Sequence, residues 1–347
     1  MDIKIGPITI GKEHKPFIIA EMSGNHNQSL DRALAIVDAA ADAGAHAIKL
    51  QTYTADTMTI RGAHTIKDGD SLWNSRELYD LYKEAYTPWD WHPVIFEHAA
   101  KRGLLAFSSP FDHTAVDFLE SLNVPCYKIA SFENTDHLLL EKVAKTGKPV
   151  IMSTGVATIA DIQEAVSILR ENGCKELVLL KCTSTYPATP ENTNILTIPH
   201  MRELYRTHVG LSDHTMGIGV SIASVALGAC VIEKHFTIRR ADGGVDSAFS
   251  IEPHELASLV EESERAWKSL GRVSYELSEK EKKNMVFKRS LYIVKDIAEG
   301  ETITAEHVRS VRPSNGLHTR FYKNIIGAKA ASGIKSGTPL SWELIKQ

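Results

Sequence analysis

Two histidines end neighbouring apolar runs of the chain, in the segments 212–215 (SDHT) and 233–236 (EKHF). Neutral imidazoles that meet at one edge of a parallel sheet suit a divalent metal ion, and two protein ligands leave positions for water and a substrate oxygen. The ligands would be His214 and His235. The chain has 15 histidines, so two structural, hydrogen-bonded histidines are the open alternative. Lys234, one residue out of phase with His235, should face the helices in a structural role.

Two lysines lie inside apolar runs. Lys49 and Gln51 share one face of their strand, and Lys128 lies within the run 126–130. An unpaired ammonium group is costly there because it loses its water. A phosphate-bearing ligand would neutralise both lysines, with neutral donors from Ser109, Ser131 and Ser153. The alternative is buried ion pairing with Glu21, Glu133 or Glu233.

The elements that position these residues alternate between short apolar runs and segments of helical period. The apolar runs are 17–20, 47–50, 104–108, 126–130, 149–152, 177–181, 209–211 and 231–234. The helical segments are 30–43, 89–102, 114–122, 137–145, 159–171, 198–205, 217–228 and 252–270. Eight strand–helix units in about 250 residues predict a parallel (β/α)8 TIM barrel, although a doubly wound open sheet has the same alternation. In a barrel, the polar residues that end the strands share one face.

Composition shifts along the chain predict two domains. Residues 1–273 would form the barrel, with the Thr-, Asp- and Gly-rich segment 55–76 as a loop insertion. We interpret residues 274–288 as a charged linker. Residues 289–347 are predicted to form a second domain of short β-like runs with Gly and Pro turns. A domain of about 60 residues has a marginal core, so we expect it to gain stability by docking. Hydroxyl caps are expected at Thr87 and Thr158.

Composition and charge exclude several classes of protein. The chain has 347 residues, 43% of them hydrophobic, and a net charge of -4, which excludes disordered and collagen-like chains. The sequence has no stripe of basic residues interleaved with aromatic residues, so nucleic-acid binding is not predicted. Four separated cysteines and an N-terminus without an apolar signal core predict a cytoplasmic protein. The uncharged stretch 215–232 is rich in small residues and is interpreted as buried core, not as a membrane span.

Seven motifs, in order along the chain, resemble the sialic acid synthase family. They are IAEMSGNHN (19–27), KLQT (49–52), YKIAS (127–131), STG (153–155), CTSTYP (182–187), SDHT (212–215) and EKHF (233–236). The tail, with VRPSNG at 311–316, resembles that family's C-terminal antifreeze-like (SAF) domain. The resemblance implies a (β/α)8 barrel that condenses phosphoenolpyruvate with an N-acylated amino sugar, giving a nine-carbon 2-keto acid and phosphate.

The resemblance also implies roles for residues at matching positions. It gives His214 and His235 as ligands of a divalent ion, with Mn²⁺ preferred over Mg²⁺ or Co²⁺. Phosphoenolpyruvate contacts are Lys49, Ser109, Lys128, Ser131, Ser153 and Ser184. Sugar-side contacts are Glu21, Gln51, Tyr186 and Asp246, while Glu133 and Glu233 are candidates for proton handling. The family exchanges its C-terminal domain between subunits, which implies a domain-swapped homodimer with Arg312 reaching the partner's site.

Within the family, segments 21–27 and 246–250 resemble most the branch that makes pseudaminic acid from a diacetamido-trideoxy hexose of altrose configuration. N-acetylneuraminate and legionaminate synthases are the alternatives, and Ser184 stands where neuraminate synthases often have Asn. More distant alternatives are a metal-dependent aldolase or isomerase, which would leave Lys49 and Lys128 unexplained, and a carbohydrate-binding protein without catalysis. Release of phosphate during turnover separates the first of these from a synthase.

Overall fold

Eight parallel strands close into a barrel in the computed structural model, which describes residues 2–69 and 71–346. A hairpin of β1 (Ile3–Ile5) and β2 (Ile8–Ile10) precedes it. The barrel strands are β3 (Phe17–Glu21), β4 (Ala47–Thr52), β5 (Leu105–Pro110), β6 (Tyr127–Ile129), β7 (Val150–Ser153), β8 (Leu177–Cys182), β9 (His208–Asp213) and β10 (Val231–His235). Consecutive strands are neighbours and β10 pairs with β3, which confirms the predicted barrel over the open sheet.

Helices follow the strands in the predicted alternation. They are α1 (Leu30–Asp42), α2 (Ala55–Met58), α3 (Leu78–Ala85), α4 (Trp91–Lys101), α5 (His113–Ser121), α6 (His137–Lys145), α7 (Ile159–Glu171), α8 (Thr197–Tyr205), α9 (Gly219–Ala226) and α10 (Pro253–Leu270). Thr158 forms the expected capping box with Asp161. The expected cap at Thr87 is wrong, because its hydroxyl bonds to His26 and the helix begins later. The 55–76 insertion, predicted as a loop, starts with α2.

The barrel interior is apolar at its amino-terminal end. Phe17, Ala47, Cys126, Val178 and Val231 form one buried cluster there, together with Ile5 and Ile10 of the hairpin, so the hairpin closes this end. The intervening strand residues, such as Ile18, Ile48 and Ile232, belong instead to the layer between strands and helices. Side chains of a strand alternate between two faces, so this pattern fixes which later residues point inward.

The second unit, Arg272–Gln347, has its own apolar core. Its elements are α11 (Glu279–Asn284), β11 (Ser290–Ile293), β12 (Val308–Val311), α12 (Tyr322–Ile325), β13 (Lys329–Ala330) and β14 (Ile345–Lys346). Strand β11 pairs antiparallel with β12, and β13 with β14. The predicted linker 274–288 contains α11, so it is partly helical.

Among the helices described between residues 2 and 346, none is long and apolar enough to cross a membrane. The uncharged stretch 215–232 forms α9 and the start of β10; its interpretation as core is confirmed for the strand and for the inner face of α9, whereas Met216 and Ala223 are exposed.

Candidate active site

The carboxyl half of the barrel interior is polar. Alternation from Phe17, Ala47, Cys126 and Val231 turns Glu21, Lys49, Gln51, Lys128, Glu233 and His235 inward. Loops that follow the other strands bring their polar residues to the same end, because parallel strands present all their carboxyl ends on one face. The residues predicted on separate strand ends are therefore brought together.

Two lysines and two glutamates form a buried ion network in this layer. Lys49 Nζ lies 2.5 Å from Glu21 Oε2 and 3.7 Å from Glu233 Oε1, and Lys128 Nζ lies 3.5 Å from the same Glu233 oxygen. The two lysines are therefore partly neutralised within the chain, and their contact with a phosphate-bearing ligand stays a prediction. The ion pairs considered as the alternative are present, and a ligand would have to share the lysines with them.

Burial and neighbouring charge act in opposite directions on these four groups. Burial disfavours charged Lys49, but Glu21 and Glu233 outweigh it and raise its pKa. Burial lowers the pKa of Lys128 despite Glu233. Burial raises the pKa of Glu21, whereas the two lysines outweigh burial at Glu233 and lower its pKa. Lys128 is thus the less fully compensated cation, and an added anion would stabilise it most.

Serine hydroxyls line the wall beside the lysines. Ser109 Oγ accepts a hydrogen bond from Lys49 Nζ at 3.3 Å, and Ser131 Oγ accepts one from the Gly155 amide at 3.2 Å. Across the described residues 2–69 and 71–346, the buried Ser153 Oγ finds no hydrogen-bond partner. Buried hydroxyls are normally paired, so this one indicates a ligand atom.

Two residues of this wall, Gly155 and Cys182, were not among the site residues predicted from the sequence. A Cβ at Gly155 would overlap the hydroxyls of Ser131 and Ser184, so only glycine fits between them. Cys182 Sγ lies 3.4 Å from Ser131 Oγ, 3.7 Å from Ser184 Oγ and 4.0 Å from His214 Nδ1. Burial raises the pKa of the Cys182 thiol, but His214 outweighs burial and lowers it to about 6. The sequence signal that could have identified Gly155 and Cys182 is their position just after the end of β7 and at the end of β8.

The two predicted metal-binding histidines lie side by side, with ring centroids 5.3 Å apart. His214 donates its Nδ1–H to the Thr183 carbonyl at 2.9 Å, so Nε2 carries the lone pair whenever the ring is neutral. Burial lowers the pKa of His214, but the neighbouring Cys182 outweighs burial and raises it. Burial lowers the pKa of His235, so this ring is neutral. Its Nδ1 is buried and has no hydrogen-bond partner within the described chain. Both rings can therefore offer a lone pair.

These imidazoles fit a divalent cation that keeps open coordination positions. Imidazole nitrogens accept manganese, iron, cobalt and zinc, so the donor set alone does not choose among them. Nowhere in residues 2–69 and 71–346 do three or more His, Cys, Asp or Glu side chains gather in a way that could hold a metal ion. The protein would supply two ligands, and water or substrate oxygens the others.

A second hydrogen-bonded chain runs from β4 to the loop after β10. Gln51 Nε2 donates to Glu21 Oε1 at 3.0 Å and to Ser23 Oγ at 3.1 Å, and Ser23 Oγ in turn donates to Asp246 Oδ2. Asp246 Oδ2 lies 4.0 Å from His235 Nδ1. Ser23 was not among the predicted site residues, yet it joins two of them from a left-handed backbone position (φ 48°).

A cavity of about 430 Å³ opens over these groups. Its polar lining includes Gln51, Ser131, Glu133, Ser184, Tyr186, His235 and Asp246. Its apolar lining comes largely from the excursion between β4 and α4: Met58, Ile66, Trp73, Leu78, Leu81 and Tyr82, with Phe111 beside them. Trp73 donates its indole N–H to the Val245 carbonyl at 3.1 Å, so the ring offers the cavity only apolar surface.

Glu133 is the carboxylate best suited to proton transfer. Burial raises its pKa to about 7, against the opposing effect of Lys128. Its Oε2 is buried without a hydrogen-bond partner in the part of the chain that the structure describes. A group that titrates near neutral pH and faces a cavity can both accept and release a proton.

Arg312 belongs to the second unit, where it follows β12 and is exposed. Within residues 289–346, no carboxylate forms an ion pair with it. Arg312 is therefore not held by an ion pair within its own described tail.

This barrel, with its mouth of lysines, serines and paired histidines, belongs to the NeuB family, whose pattern matches residues 36–275. Residues 288–346 match the SAF domain. These matches confirm the resemblance drawn from the seven motifs and the tail, and with it a TIM barrel followed by an antifreeze-like domain.

Proteins similar to this chain include two pseudaminic acid synthases and a sialic acid synthetase of known structure. The chain is 46% identical over 331 residues to the pseudaminic acid synthase of Campylobacter jejuni, covering 94% of this chain and 96% of that protein. It is 43% identical over 335 residues to the pseudaminic acid synthase of Helicobacter pylori, covering 96% and 98%. A crystal structure of N-acetylneuraminic acid synthetase from Leptospira borgpetersenii, in complex with citrate, superposes with a TM-score of 0.74 at 35% identity, over 82% of this chain and 95% of that one.

Proposed function

We propose that the protein condenses phosphoenolpyruvate with 2,4-diacetamido-2,4,6-trideoxy-L-altrose to give pseudaminic acid and phosphate. The observation that carries the proposal is one end of the barrel that holds a lysine and serine cluster beside a pair of histidines. Identities of 43% and 46% to pseudaminic acid synthases, over nearly the whole chain, support the choice of acceptor within the family.

Lys49 and Lys128 would hold the charge of phosphoenolpyruvate. Its phosphate and carboxylate bring negative charge to a network in which two lysines already face two glutamates. Ser109, Ser131, Ser153 and Ser184 would donate to the remaining oxygens, and the unpaired Ser153 hydroxyl supports this assignment. The methylene carbon of phosphoenolpyruvate is thereby held toward the acceptor.

His214 and His235 would hold a divalent ion, Mn²⁺ first and Mg²⁺ or Co²⁺ as alternatives. When bound, such an ion supplies Lewis-acid polarisation of the acceptor's open-chain aldehyde. Gln51, Tyr186 and Asp246 line the cavity where the sugar would lie, and Glu21 accepts from Gln51. These side chains would orient the acceptor for attack by the methylene carbon.

Carbon–carbon bond formation leaves positive charge on the phosphate-bearing carbon. Glu21 and Glu233, buried in the same layer, would stabilise that charge while water adds to the carbon. Glu133 would take one proton from this water and return it to the former aldehyde oxygen, which becomes a hydroxyl group, and the second proton of the water would leave with the phosphate. The tetrahedral intermediate then expels phosphate, whose charge Lys49 and Lys128 receive, and the 2-keto acid remains.

The apolar wall of the cavity supports a deoxy sugar as acceptor. Leu78, Leu81 and Phe111 cannot hydrogen-bond to a hydroxyl group, and the indole N–H of Trp73 is already donated. A methyl group at C6 of the sugar would lose no hydrogen bond on binding there. A C6 hydroxyl would lose its hydrogen bonds to water without gaining a partner. Such walls discriminate against an added hydroxyl by up to about 100-fold.

Purified protein assayed with phosphoenolpyruvate and a panel of amino sugars tests the function. We expect phosphate release and a product of the mass of pseudaminic acid with the diacetamido-trideoxy altrose, and smaller kcat/KM with N-acetylmannosamine and the legionaminate precursor. Preference for one of the latter sugars would replace pseudaminate by the corresponding product. Turnover of sugars without phosphate release would favour an aldolase or isomerase, and binding without turnover a carbohydrate-binding protein.

Lys49→Met and Lys128→Met are each expected to raise KM for phosphoenolpyruvate by about 10- to 100-fold, because a charge-assisted hydrogen bond is lost. KM for the sugar should change much less. Lys181→Met is the matched control: Lys181 lies on β8 one residue after the inward-facing Leu180 and bonds to the Cys182 carbonyl instead. An unchanged KM for phosphoenolpyruvate in both site variants would make Lys49 and Lys128 purely structural.

The raised pKa of Glu133 predicts that kcat depends on pH. As a general base it must be ionised, and with a pKa of about 7 we expect kcat to rise between pH 6 and 8 and then level. Glu133→Gln should lower kcat by about 10²-fold or more and abolish this rise. Exposed Glu164→Gln serves as control. A rise that persists in Glu133→Gln belongs to another group.

We propose that the active form is a domain-swapped homodimer, with Arg312 of one chain completing the site of the other. Apolar side chains support association. Phe132, Val156, Leu196 and Met216, in the loops after β6 to β9, are each more than half exposed. In the second unit, Val273 and Tyr275 are 94% and 98% exposed. Loops that follow parallel strands share one end of a barrel, so the four loop side chains lie at that end, where a partner would cover them. The planar guanidinium of Arg312 suits two acceptor oxygens of an acetamido sugar.

The proposed reaction belongs in the cytoplasm, where phosphoenolpyruvate is formed. The four cysteines, all buried and free, are compatible with a reducing compartment. Fractionation of the source cells with an antibody to the protein would test the assignment.

A further inference from the structure

A buried ion pair lies directly behind the two histidines. Lys234 Nζ is 3.0 Å from Asp213 Oδ2, and the two residues are register partners on β10 and β9. Asp213 immediately precedes His214, and Lys234 immediately precedes His235. Since successive residues of a strand face opposite sides, the ion pair lies on the helix side of the sheet and the imidazoles on the mouth side.

Further hydrogen bonds hold both members of the ion pair. Asp213 Oδ1 accepts from the Thr215 amide at 2.9 Å and from its hydroxyl at 2.8 Å, and Asp213 Oδ2 accepts from Ser221 Oγ at 2.6 Å. Lys234 Nζ also donates to the Thr215 carbonyl at 2.6 Å. The pair thus joins β9, β10, the turn after His214 and helix α9, all within side chains that are at most 1% exposed.

Stability alone does not account for this arrangement. A buried ion pair is often no more stabilising than apolar residues of similar volume, since both charges lose their water. Its geometry is specific, however, because each bond fixes a direction as well as a distance. An apolar pair would hold β9 and β10 together, but it would not fix the position of the residue after β9 relative to the end of β10.

We propose that Asp213 and Lys234 form a positioning pair that sets the separation and direction of the His214 and His235 rings for a divalent cation. The inference rests on the metal site of the proposed function. The pair itself touches no substrate or cation: it acts through the backbone of the residue that follows each member. Outer-shell groups that orient metal ligands commonly change metal affinity by about 10- to 100-fold when altered, and we expect a similar effect here.

The test measures the Kd of Mn²⁺ alone, by titration calorimetry on the full-length protein without substrates. The double variant Asp213→Asn/Lys234→Met removes both charges together and leaves neither uncompensated. We expect it to bind Mn²⁺ about 10- to 100-fold more weakly than the native protein. Ser221→Ala, which removes only the donor from α9, should weaken binding in the same direction by less.

A matched pair controls for loss of an ion pair as such. Lys142 and Asp117 are the same residue types, 2.6 Å apart, and join α6 to α5 outside the barrel. Asp117→Asn/Lys142→Met should keep the native Kd. Thermal unfolding of each variant shows whether affinity is measured on folded protein.

Native Mn²⁺ affinity in the folded Asp213→Asn/Lys234→Met protein would overturn the inference and leave the pair a purely structural one. If that variant does not fold, native affinity in Ser221→Ala has the same meaning. Failure of the unaltered protein to bind Mn²⁺ would instead overturn the metal site of the proposed function, and the inference with it.

Discussion

Removal of divalent metal from the purified protein is expected to abolish condensation, and added Mn²⁺ is expected to restore it. The reason is the pair of imidazole rings at the carboxyl end of the barrel, one with its Nδ1–H donated to a carbonyl and the other with a buried Nδ1 that lacks a partner in the described chain. Without an electrophile at the aldehyde, the methylene carbon of phosphoenolpyruvate is too weak a nucleophile. Loss of several kcal/mol of transition-state stabilisation corresponds to about 10³-fold or more in kcat.

His214→Ala and His235→Ala should reproduce the loss in protein that still folds. The two rings pack against Tyr186 and Phe249 at the carboxyl end of the barrel, so thermal unfolding of each variant is the check that the protein still folds. His113→Ala, at the exposed start of α5, is the control and should keep full activity. Full turnover in rigorously metal-free protein would reject the metal requirement, whatever the two variants do.

The barrel was predictable because its signals are local. Apolar runs such as 47–50 and 177–181 are too short for helices and too apolar for exposed strands, and the capping box at Thr158 lies within four residues of chain. The site followed from the barrel, because one rule places all strand ends on the same face. The same rule predicts that His214 and His235 are neighbours, and their rings lie side by side.

Partners separated along the chain were not predictable in this way. Lys49 and Glu233 are 184 positions apart, and only strand closure shows that this lysine is already paired. Thr87 has the residue type of a helix cap, yet its hydroxyl bonds to His26, 61 positions earlier. The role of Ser23 depends on a left-handed backbone that no simple motif requires of serine. In each case a tertiary contact decided against the local preference.

A mixture of two inactive variants is expected to regain activity if the site is shared between subunits. Arg312→Ala leaves the histidines intact, and His235→Ala leaves Arg312 intact. In a mixed dimer with exchanged tails, one barrel has both histidines and receives a native Arg312 from its neighbour. The other barrel lacks both groups. Random exchange of equal amounts makes half the dimers mixed, so we expect about a quarter of native activity.

If each tail served its own barrel, every barrel in that mixture would lack one essential group and the mixture would stay inactive. The measurement is therefore phosphate release before and after subunit exchange, with two affinity tags to show that mixed dimers are present. Exposed Arg320, on the same unit, provides a control: Arg320→Ala should be active alone and need no complementation. Mixed dimers without recovered activity would reject the exchange, because the two variants together contain every group that a shared site requires.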